Sequence, residues 1–294
     1  MAAKEPGSRS TAQKWLIGCG IGCGVIIILA IIVGVGSFFF IKGIVNEFEA
    51  MDEVADLLEE RFGKMREYSP EPDGAILPDR IEVFLKVRDA YAPAREKIGK
   101  TLATLSSQKD KPEIEVKRPG NVLSVIRTGI GFIPQIAEFF KFRNQALLDG
   151  GMGLGEYYYM YVVIYYSWLG KAPEDGPPFR ISGNDERDHF WEEDEEDTRE
   201  MRREQIRKRV NHLMLSMLRN QLDKLNERAA PETPDSWREA LEAEIQTMES
   251  DRYRLPWQDG LPDVLDSSLR AFRDRLEASY SPMANALELA MERR

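Results

Sequence analysis

The chain has two cysteines, and both fall in one short stretch, GCGIGCG, as Cys19 and Cys23 among Gly18, Gly20, Gly22 and Gly24. Paired thiolates can hold a metal or cycle as a redox couple, but the spacing here is C-x-x-x-C, with no histidine nearby. Lipid attachment is the next chemistry to weigh, because LIGC (Leu16 to Cys19) has the small-residue pattern that precedes a lipidated bacterial cysteine. Such a cysteine follows an apolar stretch, whereas here the apolar stretch comes after it. Geometry favours a third reading. On a helix Gly18 and Gly22 share one face and Gly20 and Gly24 another, with Gly34 further along, and small residues four apart let membrane helices pack closely.

Elsewhere reactive residues are sparse. His189 sits in a charged loop and His212 inside an amphipathic segment. There is no G-x-S-x-G, H-E-x-x-H or Walker-type loop, so no catalytic residue, cofactor or metal site is assigned. GGMGLG (Gly150 to Gly155) lacks the preceding strand a phosphate cradle needs and reads as a turn. The acidic run EEDEED lacks the D-x-[DN]-x-[DN]-G calcium pattern and suits a helix N-terminus, whose dipole favours negative charge. The stretch EYYYMYVVIYYSWLG, from Glu156 to Gly170, is the strongest remaining candidate. Its tyrosines fit core packing with hydroxyls bonded to neighbouring backbone, a pocket built on Glu156, Tyr159 and Met160, or a face pressed on a membrane interface.

The elements that must position these residues begin with an uncharged run from Trp15 to Ile41, about 27 residues. At about 1.5 Å per residue it reaches roughly 40 Å, more than the roughly 30 Å of bilayer hydrocarbon. It ends in Phe38, Phe39 and Phe40 rather than a small-residue cleavage site, so it reads as an uncleaved transmembrane helix. Lys4, Arg9 and Lys14 precede it and only Lys42 follows closely, which puts the N-terminus in the cytoplasm and the remainder outside, periplasmic if the cell is bacterial. The chain is acidic, with net charge −10, which argues against nucleic acid as a partner.

Steps of three and four residues carry one seam from Gly20 and Cys23 through Ile44, Phe48 and Met51 to Ala55, Leu58, Phe62 and Met65. Small residues dominate it inside the membrane and large apolar ones beyond. In a parallel dimer the flanks would bring Glu47 towards Asp52 and Arg61 towards Arg66, like charges that disfavour self-pairing. Val54 and Leu57 widen the stripe, so the extension suits docking on the chain's own domain. Gly63 weakens the helix and marks its end.

Residues 68–79, with three prolines and a D-G pair, read as a linker. Beyond it Ile81, Phe84, Leu85, Arg88, Tyr91, Ile98, Leu102 and Leu105 fall near one helical stripe, with Asp79 as N-cap and a kink at Pro93. Residues 121–148 suggest two short helices or one kinked at Pro134, and the aromatic stretch is too long for a strand and reads as a buried helix. A long amphipathic helix runs through Ile206, Val210, Met214 and Leu218, Trp257 fits a core plug, and Pro262 and Pro282 suit helix starts.

The expected fold is all-α: a cytoplasmic tail (1–14), a transmembrane helix (15–41), a juxtamembrane amphipathic helix (42–67), the linker (68–79) and a soluble helical bundle (80–294). The function this suggests is an interaction or structural role in the cell envelope. Its partners would be the lipid bilayer and a membrane protein or second copy met through the anchor helix. A ligand-binding module with a tyrosine-lined pocket is the alternative. A carboxylate-dependent envelope hydrolase is a third, since that chemistry needs only two acids at a fixed separation.

Overall fold

The computed structural model describes residues 53–109, 119–176, 195–227 and 235–289, and among them are ten α-helices, one π-helix and two 3₁₀ turns. No strand occurs among them, and the all-α expectation holds. The tail, the run Trp15–Ile41 with Gly18, Gly20, Gly22, Gly24 and Gly34, and His189 lie outside the described residues. Among the described residues no helix is long and apolar enough to cross a membrane.

The compact unit begins at Ala50 and so takes in the helix that precedes residues 68–79. That helix, α1 (53–62), buries Ala55 and Leu58 and packs Phe62 against the core, while Leu57 stays 47% exposed. The described end of the seam, Ala55, Leu58, Phe62 and Met65, therefore packs on its own domain, and the stripe there is narrower than Val54 and Leu57 suggested. Gly63, at φ +79°, ends α1 by donating its N–H to Glu59 O at 2.9 Å, a left-handed cap that glycine adopts without strain. A 3₁₀ turn, Met65–Glu67, follows.

Residues 68–77 form a non-helical strap across the bundle. Side chains of three later helices fix it. Asn220 Nδ2 donates to Arg66 O at 3.0 Å and Tyr68 O at 3.2 Å, and Gln221 Nε2 donates to Glu71 O. Trp237 Nε1 donates to Pro72 O at 2.9 Å, and Ser268 Oγ accepts from the Ile76 N–H at 3.3 Å. Gly74 turns beneath Trp237 at φ +78°, where a Cβ would run into the indole ring.

α2 (Pro78–Ala90) starts on Pro78, with Leu77 rather than Asp79 at the cap position. Proline's fixed φ and missing N–H suit the first helical residue, which moves the start back by two. Its buried stripe is Ile81, Phe84, Leu85, Val87 and Arg88. Pro93 does not kink this helix. The chain breaks at Tyr91, and α3 (Ala92–Lys109) carries the proline in its first turn, where it costs no ladder bond. α4 (Pro119–Gly150) is one helix, with Pro134 inside it rather than at a junction. Buried Ile136, Phe139 and Phe140 follow directly and hold the run together against the lost bond.

α5 (Leu154–Tyr161) passes without interruption into a π-helix, Val162–Trp168. Every side chain from Tyr157 to Tyr166 is buried, so the aromatic stretch is the axis around which the other helices gather. The β-branched run Val162, Val163 and Ile164 weakens the α preference, and tertiary packing sets the wider turn. α6 (Glu195–Glu227) and α7 (Asp235–Ser250) pack on each other, burying Val210, Met214 and Leu218 against Leu241 and Met248 within one core. Asn211 joins this pair to the following turn through Met248 O, Asp251 O and Arg254 O. Trp257 is buried as expected, at φ +53°, with its backbone N–H donating to Glu244 Oε1 at 2.8 Å. α8 (Asp263–Arg270), α9 (Arg273–Ala278), a 3₁₀ turn (Pro282–Ala284) and α10 (Asn285–Glu288) close the unit.

Candidate functional site

Two polar assemblies meet on opposite faces of α5. The inner one is centred on Arg88, which is fully buried although it is a cation. An isolated charge there would cost far more than the fold can supply, so it must be paired and hydrogen-bonded. Arg88 Nη1 donates to Tyr157 Oη at 2.8 Å and lies 3.3 Å from Glu288 Oε1, and Nη2 and Nε donate to Ser279 O at 2.6 and 3.1 Å. Glu288 also accepts from Tyr91 at 2.6 Å and Tyr157 at 2.9 Å. The rings of Tyr161 and Tyr165 lie 5.2 and 5.0 Å from the guanidinium carbon, within cation–π range. Burial works against the Arg88 charge, and the phenols and Glu288 around it outweigh that, leaving its pKa above the usual arginine value.

Further along, Asn285 Oδ1 accepts from Tyr161 at 2.9 Å and Tyr166 at 2.7 Å, while the Tyr165 and Ser279 hydroxyls are hydrogen-bonded at 2.6 Å. The hydroxyls of Tyr157, Tyr161, Tyr165 and Tyr166 thus bond side chains of the C-terminal segment rather than neighbouring backbone. Burial pushes all of these phenols above the ordinary tyrosine value. Glu288 and Arg88 are sealed from solvent, so this assembly ties the chain's end to its core and has no route to a substrate.

The outer assembly reaches solvent. Glu156 in the first turn of α5 accepts from Arg80 in the first turn of α2, Nε to Oε1 at 2.6 Å and Nη2 to Oε2 at 2.5 Å. Arg80 Nη2 also donates to Gly151 O at 3.1 Å. The pair closes one side of a cavity of about 200 Å³ whose other walls include Tyr68, Glu71, Ile76, Leu77, Tyr159 and Met160. Glu156, Tyr159 and Met160 therefore line one cavity. Two glycines at the start of α5 let the neighbouring segments come close. A Cβ on Gly155 would lie 2.5 Å from Tyr68 Cβ and 2.6 Å from Met65 O, and one on Gly153 would lie 2.8 Å from Phe62 Cβ. Only glycine lets the strap and the end of α1 approach α5 this closely.

Inside the cavity the Tyr68 and Tyr159 ring centroids are 5.9 Å apart, inclined at 49°. Tyr159 is buried, and its hydroxyl has no partner among the described residues; the Tyr158 hydroxyl is in the same position but does not line the cavity. Burial raises both of these phenols. Burial is also the main cause that raises the Tyr68 phenol, followed by the negative charge of Glu156, with Tyr159 and Glu71 adding and Arg80 opposing. Glu156 is held by two bonds to a guanidinium, which fixes its orientation in the wall. His212 is exposed on α6. Among the described residues no group of three or more His, Cys, Asp or Glu comes together to hold a metal.

Sequence reasoning missed Tyr68, Glu71 and Arg80 in this site and Glu288 in the inner one. Arg88 was visible as a charge inside an apolar stripe, and a buried cation requires an acidic partner, but nothing local named Glu288. No family model, curated protein or solved structure matches this chain.

Proposed function

We propose that this chain is a single-pass membrane protein, N-terminus in the cytoplasm, whose helical domain lies on the far side and acts as an interaction or structural module of the envelope. The uncharged run Trp15–Ile41 and the basic residues before it support the anchor and its orientation. The observation that carries the module reading is the docking of α1. The helix that follows the anchor in sequence buries Ala55 and Leu58 in the domain core and meets α5 through Phe62 at Gly153.

Replacing residues 15–41 with an unrelated apolar helix tests this reading. Loss of the native complex in mild detergent, with the domain still folded, is the expected result. Retention of every bound partner by the swapped chain contradicts it. Reporters fused after Arg294 test the orientation, and activity of a cytosolic reporter alone overturns it.

The cavity beside Arg80 and Glu156 favours a second reading, a ligand-binding module. It is concave, partly apolar and carries a few convergent polar groups, the usual make-up of a small-molecule site. A two-carboxylate hydrolase draws less support, because both oxygens of Glu156 are engaged by Arg80.

A further inference from the structure

We propose, on the reading of the chain as an anchored interaction module, that the outer face of α1 is a contact between two copies of this chain. In it α1 of each copy seats in the groove that α1 and α4 form on the other. The groove is open, about 550 Å³, and lined by Leu57, Glu60, Arg61, Leu148 and Asp149. Its apolar part is uncovered. Leu57 stays half exposed, and Leu148 is only partly buried at the edge of the core. With Val54, half-buried one turn earlier, Leu57 forms a strip that the packing of Ala55, Leu58 and Phe62 on the domain leaves unused.

Charge decides what covers this strip. Glu60, Arg61 and Asp149 line the groove, and none of them has an ion pair among the described residues. Asp149 accepts from Gln145 at 2.8 Å, and the Arg61 guanidinium rests over the ring of its neighbour Phe62. A partner of one sign, such as an anionic lipid surface, meets like charge in such a groove, whereas a second copy brings the complement of both signs. Arg61 and Asp149 line one groove, so a two-fold axis along α1 sets Arg61 of each copy against Asp149 of the other and Leu57 against its counterpart. Five lining residues fall well short of the roughly 20–30 a side of a lasting contact between free proteins. α1 follows Trp15–Ile41 closely in sequence, so anchoring in one bilayer holds two copies at high effective concentration, and a small contact then suffices.

Disulfide trapping in membranes tests the contact. In the full chain with Cys19 and Cys23 changed to Ser, Leu57→Cys should give a covalent dimer on mild oxidation, because the axis brings the two thiols within bridging reach. Leu77→Cys and Met201→Cys replace side chains at least as exposed as Leu57 but outside this groove, and should give several-fold less. Asp149→Arg should cut the Leu57→Cys dimer several-fold, and adding Arg61→Asp should restore it, since the pairs re-form with their signs exchanged. A Leu57→Cys yield no higher than that of Leu77→Cys, in membranes that keep the chain through alkaline carbonate, overturns the contact and leaves the anchor standing. So does an exchanged pair that fails to restore the dimer in a chain whose circular dichroism is unchanged. Release of the chain by carbonate overturns anchor and contact together.

Discussion

Alkali should unfold the helical domain in one steep step, with the buried phenols as the cause. Tyr91, Tyr157, Tyr158, Tyr159, Tyr161, Tyr165 and Tyr166 are all buried, and burial holds each above the ordinary tyrosine pKa. In the unfolded chain they titrate near pH 10. Above that value the unfolded state binds fewer protons than the folded one, so stability is fully present below about pH 10 and falls as the pH rises towards the folded-state values. One phenol contributes about 0.4 kcal/mol of destabilisation at its unfolded pKa and about 1.4 kcal/mol one pH unit higher. Seven together reach about 10 kcal/mol near pH 11, comparable with the roughly 5–15 kcal/mol that holds a typical domain folded. The assay follows phenolate ultraviolet absorbance and far-ultraviolet circular dichroism on one sample of the full chain in detergent. Both should change together in a transition far sharper than a single titration. Phenolate absorbance that grows smoothly around the ordinary tyrosine value, with helix content intact, would refute the buried network.

Five substitutions probe the same core and strap by chemical denaturation. Arg88→Met leaves Glu288 buried without its cation and should cost about 3–5 kcal/mol, whereas adding Glu288→Leu to it should recover most of that loss. Asn285→Ala removes the acceptor of both Tyr161 and Tyr166 and should cost about 1–3 kcal/mol for each hydroxyl left unpaired. Gly155→Ala drives a methyl into Tyr68 and Met65 O and should cost about 1–3 kcal/mol. Gly151→Ala, at φ +64° with open space around it, should cost only about 1–2 kcal/mol, and a larger loss there than at Gly155 would contradict the close approach of strap and α5.

Local periodicity carried the helices well. The stripe Ile81, Phe84, Leu85, Arg88 and Tyr91 lies buried, as does the face Ile206, Val210, Met214 and Leu218, because a helix that packs on one side writes a 3.6-residue repeat into its sequence. Gly63 and Trp257 were legible for equally local reasons, a positive φ at one and a large apolar ring among turn residues at the other. The sites were not legible in the same way. Arg80 reaches Glu156 across 76 residues of sequence and Arg88 reaches Glu288 across 200, and no spacing rule relates residues brought together only by tertiary packing. The strap hid for a related reason. Its prolines announce a turn, but its partners Asn220, Gln221, Trp237 and Ser268 belong to helices far along the chain. Of the pocket, Glu156, Tyr159 and Met160 were readable because one helix presents them, and the walls supplied by the strap and α2 were not.

Membrane fractions carrying the full chain, washed in turn with high salt, urea and alkaline carbonate, test the central claim most directly. An anchor spanning the bilayer holds the chain through every wash, including the alkaline one that unfolds the helical domain, and lets go only to detergent. Release of the intact chain by salt or carbonate would show that Trp15–Ile41 is not held across a bilayer, and the proposed envelope role would fall with it.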